Sequence, residues 1–170
     1  MMHSSRHGGG GNAVALDPGG FWSDGELRFF HYTLAASIKL VRALQPVMPA
    51  LTGSAVGRTA LLSQFSARPW ALSSEVALHE MRAFARASSL DDAFHALVHG
   101  PRQQGAPAGT TPGRVVIGWG SKDKVTLPRQ AARAQALFPA AELHWFGRSG
   151  HFPHWDAPDE TVDLVLRSTA

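Results

Sequence analysis

The stretch VVIGWGSKDKVTLPRQAARAQALFPAAELHWFGRSGHFPHWDAPDETVDLVL, residues 115–166, decides how this chain folds. With Arg114 it opens on RVVIGWG (114–120), an apolar run too short for a helix and suited to a strand buried on both faces. Pro128 then opens a helical segment that reaches Phe138, ELHWF (142–146) reads as another strand, and Pro158 opens a last helix. Strand, helix, strand, helix with short links predicts parallel strands joined by right-handed crossovers.

Upstream, AVALDPGG (13–20) is a further apolar run, stopped by Pro18-Gly19-Gly20 and expected to be a strand entering a turn. Ser23 and Glu26 stand at capping-box spacing. After them Leu27, Phe30, Leu34, Ile38, Val41 and Leu44 recur at steps of three and four, which predicts one long amphipathic helix ending before Pro46. Further helices are expected around 54–65, from Ser74 to Ala87 and from Ser89 to Gly100, so that 24–99 is all helical. GPRQQGAPAGTTPG (100–113) is a loop by composition, and the glycine-rich residues 1–12 read as a flexible lead-in. The fold class is therefore α/β: a few parallel strands with helices, plus a helical insertion.

Composition narrows the function. The chain has 170 residues, 44% of them hydrophobic and 17% charged, as a globular domain requires. It contains no cysteine, which excludes disulfides and thiolate metal sites. No run is long enough to span a bilayer and no secretory leader is evident, so no membrane association and a cytoplasmic location are expected. The sequence pI is about 10.0, but the net charge is only +3 and the basic residues are scattered singly from Arg6 to Arg167. Phosphate binding needs them clustered, so nucleic acid is not an expected partner.

In an open parallel sheet, ligands collect at the carboxyl ends of the strands. Three segments leave such ends here: DPGGFW, GSKDKVTL and GRSGHFPHW. Asp123 and His151 follow consecutive strands and are expected to meet there. A carboxylate that holds the proton-bearing nitrogen of an imidazole fixes its tautomer and raises its basicity.

The tract 115–166 resembles the C-terminal portion of α/β-hydrolases, in which a G-x-x-D loop supplies the acid of a catalytic triad and a G-H-x-P segment supplies its histidine. AVALDPGGFW is similar to the family strand that precedes a helical cap. The resemblance implies a partial α/β-hydrolase fold with 13–23 and 100–170 as core and 24–99 as cap. It implies Asp123 as the acid and His151 as the general base, with Asp17 as the alternative acid. It also implies hydrolysis of an ester or related bond in a small apolar molecule by a Ser-His-Asp mechanism, with no cofactor and no metal.

The family's nucleophile sits in a G-x-S-x-G elbow between a strand and a helix. Here GSAVG (53–57) centres on Ala55, GAPAG (105–109) on Pro107 and GTTPG (109–113) on Thr111. Ser4 and Ser5 stand too close to the first strand for an elbow helix to fit, and HGGGG (7–11) resembles an oxyanion segment in the wrong place. The nucleophile is thus expected outside this sequence, the chain standing for the C-terminal half of a hydrolase, as in a truncated product. A non-catalytic remnant or binding module of the same fold is the alternative. Either way, strand 13–17 is expected to lack a neighbour and to invite self-association.

Two other constellations are weaker. His151, His154 and Asp156 form H-x-x-H-x-D, which offers ligands to a metal but reads better as loop residues around Trp155. His95 and His99 share a helix face without a carboxylate partner, and Phe29, Phe30, Phe65 and Phe84 are expected in the interior of the helical region.

Overall fold

The computed structural model describes residues 11–169. Its sheet has three parallel strands in the order β1 (Ala13–Leu16), β2 (Val115–Gly120) and β3 (Glu142–Phe146). Val14 lies opposite Val116, and Trp119 opposite Trp145. The central strand is β2, whose residues 116–120 are all buried, as an unbroken apolar run demands.

Alternation along the strands sorts the core into two layers. Ile117 and Trp119 pack with Phe21, Ala131, Ala134 and Phe138 against α6 (Ala131–Leu137). On the other face Val116 and Phe146 meet Val14, Leu16 and Leu164 of α8 (Pro158–Thr169). Gly118 is required here. A Cβ at that position would lie 2.8 Å from the Phe146 ring and 2.9 Å from a Leu16 methyl.

The expected helical region is present as α1 (Asp24–Ala43), α2 (Met48–Gly53), α3 (Ala55–Leu62), α4 (Ser74–Arg86) and α5 (Leu90–His99). The capping box forms as its spacing predicts: the Ser23 amide donates to Glu26 Oε2 at 2.7 Å, and the Glu26 amide donates to Ser23 Oγ. Glu26 has a second use that its spacing did not announce. Buried at the start of α1, it accepts from Arg129 Nε at 2.5 Å and pairs with Arg133, so it fastens the insertion to the α6 side of the sheet. Burial pushes its carboxyl up, but the Arg129 hydrogen bond, the Ser23 donors and Arg133 together hold it below the usual value. Of the four phenylalanines expected inside, Phe30 and Phe65 are buried and Phe84 is half-buried, whereas Phe29 faces solvent.

The insertion has its own apolar centre in Val41, Met48, Leu62, Ala77 and Met81. A second, aromatic layer of Trp22, Phe30, Phe65, Phe152 and Trp155 joins it to the loops that leave the strands. Phe65 stacks on Phe152 at 5.8 Å between ring centroids, and Trp22 on Phe30 at 4.8 Å.

Beneath those rings lies Asp156, in the one-turn helix α7 (Pro153–Asp156), 1% exposed. Its carboxylate accepts from Ser66 Oγ at 2.6 Å, from the amides of Ala67 at 2.8 Å and Arg68 at 3.2 Å, and from the amide of Gly150 at 2.7 Å. One side chain thus ties the residues after α3 to the residue before His151. Asp156→Ala leaves the Gly150 and Ala67 amides and the Ser66 hydroxyl without this acceptor, while the Arg68 amide keeps Ser66 Oγ at 3.0 Å; a buried donor so orphaned costs about 1–3 kcal/mol. The expected loss, measured by urea unfolding, is about 3 kcal/mol or more, and Asp156→Asn should recover part of it. A variant within about 0.5 kcal/mol of the parent would show that these bonds do not hold the loops together.

Candidate active site

Asp17, Asp123 and His151 all stand just past strand ends, after β1, β2 and β3, on the carboxyl side of the sheet. The β2 loop turns sharply because Asp123 folds its side chain back on its own backbone. Its Oδ1 accepts from the amides of Val125 at 2.7 Å and Thr126 at 3.1 Å. Oδ2 is thereby aimed outward, 2.6 Å from Thr126 Oγ1 and 2.9 Å from His151 Nδ1. Asp123 is 3% exposed by residue, and the imidazole retains about a fifth of its surface, 19%.

The short path between the β2 and β3 loops depends on a glycine. A Cβ on Gly120 would sit 2.0 Å from the carbonyl oxygen of Gly150, so only glycine lets the two loops touch. Lys122 N also donates to Ser149 O at 3.0 Å, across the same gap. Gly150 N in turn is held by Asp156, so the residue before the histidine is fixed from two sides.

Burial alone would raise the Asp123 carboxyl. The hydrogen bond from His151 and its charge, with help from Asp17 and Thr126, outweigh burial and hold it below the usual carboxylate range. Asp17 behaves in the opposite way. Burial first, then the charge and closeness of the Asp123 carboxylate, push it up to about 9 despite the Gly120 amide. Its Oδ1 accepts that amide at 2.7 Å. Thr126, which no motif flagged, links all three: its hydroxyl lies 3.2 Å from the Asp17 carbonyl, 2.6 Å from Asp123 and 3.3 Å from His151 Nδ1. Only its position three residues after an aspartate in a turn could have suggested it.

The ligand atoms of Asp17, Asp123 and His151 lie within 4.8 Å of one another, the one such group of histidines and carboxylates among the described residues. The H-x-x-H-x-D constellation is not assembled for metal binding, because Asp156 spends its carboxylate on backbone donors away from His151. Burial lowers the His154 imidazole below its ordinary value. His95 and His99 lie 4.5 Å apart between ring centroids, tilted by 45°, on the exposed side of α5, with His31 of α1 6.2 Å from His99.

Each G-x-x-x-G centre lies elsewhere. Ala55 begins α3. Pro107 and Thr111 precede β2 and so lie at the opposite end of a strand about 20 Å long. Ser4, Ser5 and His7 to Gly10 lie outside the described residues. Among the described residues, His151 Nε2 makes no hydrogen bond, while Nδ1 is engaged by Asp123. A model of the Alpha/beta hydrolase family matches residues 2–164. The chain belongs to that family.

An uncharacterized protein of Mycobacterium tuberculosis is 45% identical over 53 residues, which are 31% of this chain and 16% of that protein. An uncharacterized protein of Mycobacterium bovis matches to the same extent. Among solved structures, a membrane phospholipase A described as a bacterial virulence factor aligns with a TM-score of 0.50 at 14% identity, over 70% of this chain and 39% of that one. The meta-cleavage product hydrolase CumD of Pseudomonas fluorescens aligns with a TM-score of 0.46 at 24% identity, over 67% and 44%. The chain thus spans less than half the length of these structures. Among the described residues no helix is long and apolar enough to cross a membrane.

The Asp123 environment fixes the sign of a pH effect. Its carboxyl holds its proton less tightly folded than unfolded, so its contribution to stability is complete above the unfolded value near 3.8 and is lost as pH falls through the lower folded value. Chemical unfolding of the parent and Asp123→Asn should therefore show a parent advantage that shrinks as pH falls from 5 towards 3. An advantage that grows on acidification would contradict the assignment of the ionised form to Asp123.

Proposed function

We propose that this chain carries the acid–base part of a serine-type hydrolase site acting on esters or related bonds of small apolar molecules. Asp123 orients His151, and His151 serves as general base through Nε2. The observation that carries this reading is the 2.9 Å contact of Asp123 Oδ2 with His151 Nδ1, made by a carboxylate whose other oxygen is already pinned by two backbone amides. Such a carboxylate stabilises the imidazolium that forms when a hydroxyl gives up its proton. Residues 24–99 serve as cap, and 13–23 with 100–170 as core.

The nucleophile is the part the sequence does not supply, since it holds no G-x-S-x-G. The sheet suggests where it enters. β1 pairs with β2 on one side only, and among the described residues its outer edge has no partner. A further parallel strand added there would end beside Asp17, and a serine on the turn that follows would lie on the side of the sheet that carries His151. The same bare edge supports self-association of the isolated chain. The missing elbow is also the observation that favours the second reading, a binding module without turnover.

Two measurements test this. The 170-residue chain should hydrolyse a 4-nitrophenyl ester no faster than its His151→Ala variant, because imidazole and carboxylate without nucleophile and oxyanion donors retain little of the rate. Supplied with a strand–elbow–helix segment of a longer family member, it should gain activity, and Asp123→Ala should lower kcat by roughly 10³- to 10⁴-fold. Turnover by the chain alone that disappears with one of its own serines would overturn the proposal, and complemented turnover indifferent to His151 would do the same.

Light scattering checks the edge. The isolated chain should associate as concentration rises and return towards a single copy when the segment is added. A monomer that unfolds cooperatively at high temperature would show that the edge is covered.

A further inference from the structure

Asp17 has three features that an acid–base pair of Asp123 and His151 leaves unexplained. It is 3% exposed, its backbone adopts φ +45°, and its Oδ2 has no hydrogen-bond donor among the described residues. The left-handed conformation is tolerated by aspartate and asparagine but costs most other side chains about 1 kcal/mol or more. It turns the carboxyl away from the β1 edge and towards β2, where Gly120 N fixes Oδ1 at 2.7 Å. The carboxyl then stands beside a second one, with an oxygen of Asp17 and one of Asp123 within 4.8 Å of each other.

The titratable groups against it are Asp123, from the loop after β2, and His151, from the loop after β3. Lys124 of the β2 loop is turned away, its Nζ donating to the Ser63 carbonyl at 2.7 Å. Among the described residues no lysine or arginine thus neutralises a second buried negative charge. Two ionised carboxylates in this space repel, and an acceptor oxygen without a donor loses its hydration with no return. One proton removes both penalties, because it converts Oδ2 from an orphaned acceptor into a donor and supplies Asp123 with one more hydrogen bond. Two carboxyl groups sharing a proton are a known solution to this problem.

We propose that Asp17 is a positioning residue: a neutral carboxyl group whose O–H donates to Asp123 and holds that carboxylate against His151 Nδ1. The inference rests on the reading of Asp123 and His151 as the acid–base pair. It assigns the two carboxyls distinct states, one ionised to face the imidazole and one protonated to face the first. The upward displacement of Asp17 and the downward displacement of Asp123 agree with that division. Asn at position 17 could reproduce the donor and tolerate the backbone, whereas Ala could do neither.

Infrared difference spectra of the chain labelled with ¹³C-aspartate, parent against Asp17→Asn, read the state directly. A protonated carboxyl band should be present at pH 7 and should give way to carboxylate bands only above about pH 9. Stability provides the second readout. Folded Asp17 holds its proton more tightly than the unfolded chain, so its contribution is complete below about pH 4 and is lost as pH rises through about 9. Asp17→Asn should therefore gain in Tm relative to the parent as pH rises across that window. The third readout is the His151 Nδ1–H proton resonance, which should survive in Asp17→Asn and broaden or vanish in Asp17→Ala.

Carboxylate bands alone at pH 7, or a Tm difference that does not change with pH, would overturn the proposal. So would a stoichiometric divalent cation in the parent that chelator removes and Asp17→Asn fails to bind, since a metal would then occupy the place of the proton. Failure of the underlying reading looks different: Asp123→Asn would leave the Nδ1–H resonance unchanged, while the Asp17 band would still be seen at pH 7.

Discussion

A buried carboxylate with four hydrogen-bond donors, Asp156, is the contact on which the relation between the helical insertion and the strand loops depends. Apolar packing between these parts is extensive, but packing is non-directional and permits the insertion to slide. Hydrogen bonds to Ala67, Arg68 and Gly150 do not. They set the height of the His151 loop above the sheet to within the tolerance of a hydrogen bond, and Phe65 and Phe152 stack in the register so defined. Removing water from this layer makes each of these bonds harder to replace, which is why a single carboxylate there governs so much geometry.

The second constraint is close approach. Gly120 lets the β2 and β3 loops touch, Gly150 lets the β3 loop lie against residues 65–67, and Asp123 and His151, 28 positions apart, come within 2.9 Å. The strands alone would not have done so. Adjacent parallel strands lie about 4.8 Å apart, so side chains just past their ends meet only if both loops lean inward. The two aspartates then differ by environment and not by type. Asp123 is surrounded by donors, whereas Asp17 has one amide and a carboxylate for a neighbour.

Much of this was legible in the residues. The unbroken apolar run of β2, the three- and four-residue steps of α1 and the Ser23–Glu26 spacing each have one physical reading, and the structure follows them. That Asp123 and His151 would meet was legible because topology places successive strand ends side by side. Three things were not. Thr126 is an ordinary threonine until the loop folds back on it. Asp156 read as part of a histidine-rich loop because its donors at 66–68 lie about ninety positions away. Glu26 announced a cap but not its two arginines, at separations above a hundred residues. What escapes the sequence is the pairing of polar groups across long separations, which no period or spacing encodes.

These long-range pairings also bear on how the site could be completed. Among the described residues the outer edge of β1 and Nε2 of His151 both lack a hydrogen-bond partner, and on the proposed reading one would take backbone groups and the other a hydroxyl. A single added element of the kind proposed, a parallel strand turning into a serine-bearing elbow, would answer both. The edge offers outward N–H and C=O groups that favour pairing with any extended segment. If Asp123 and His151 act as proposed, they would discriminate among such segments, because a segment that carries a hydroxyl at its turn would donate to the imidazole. Affinity would then come from the strand and chemistry from the turn, and a segment lacking the serine should bind β1 equally well and restore no turnover.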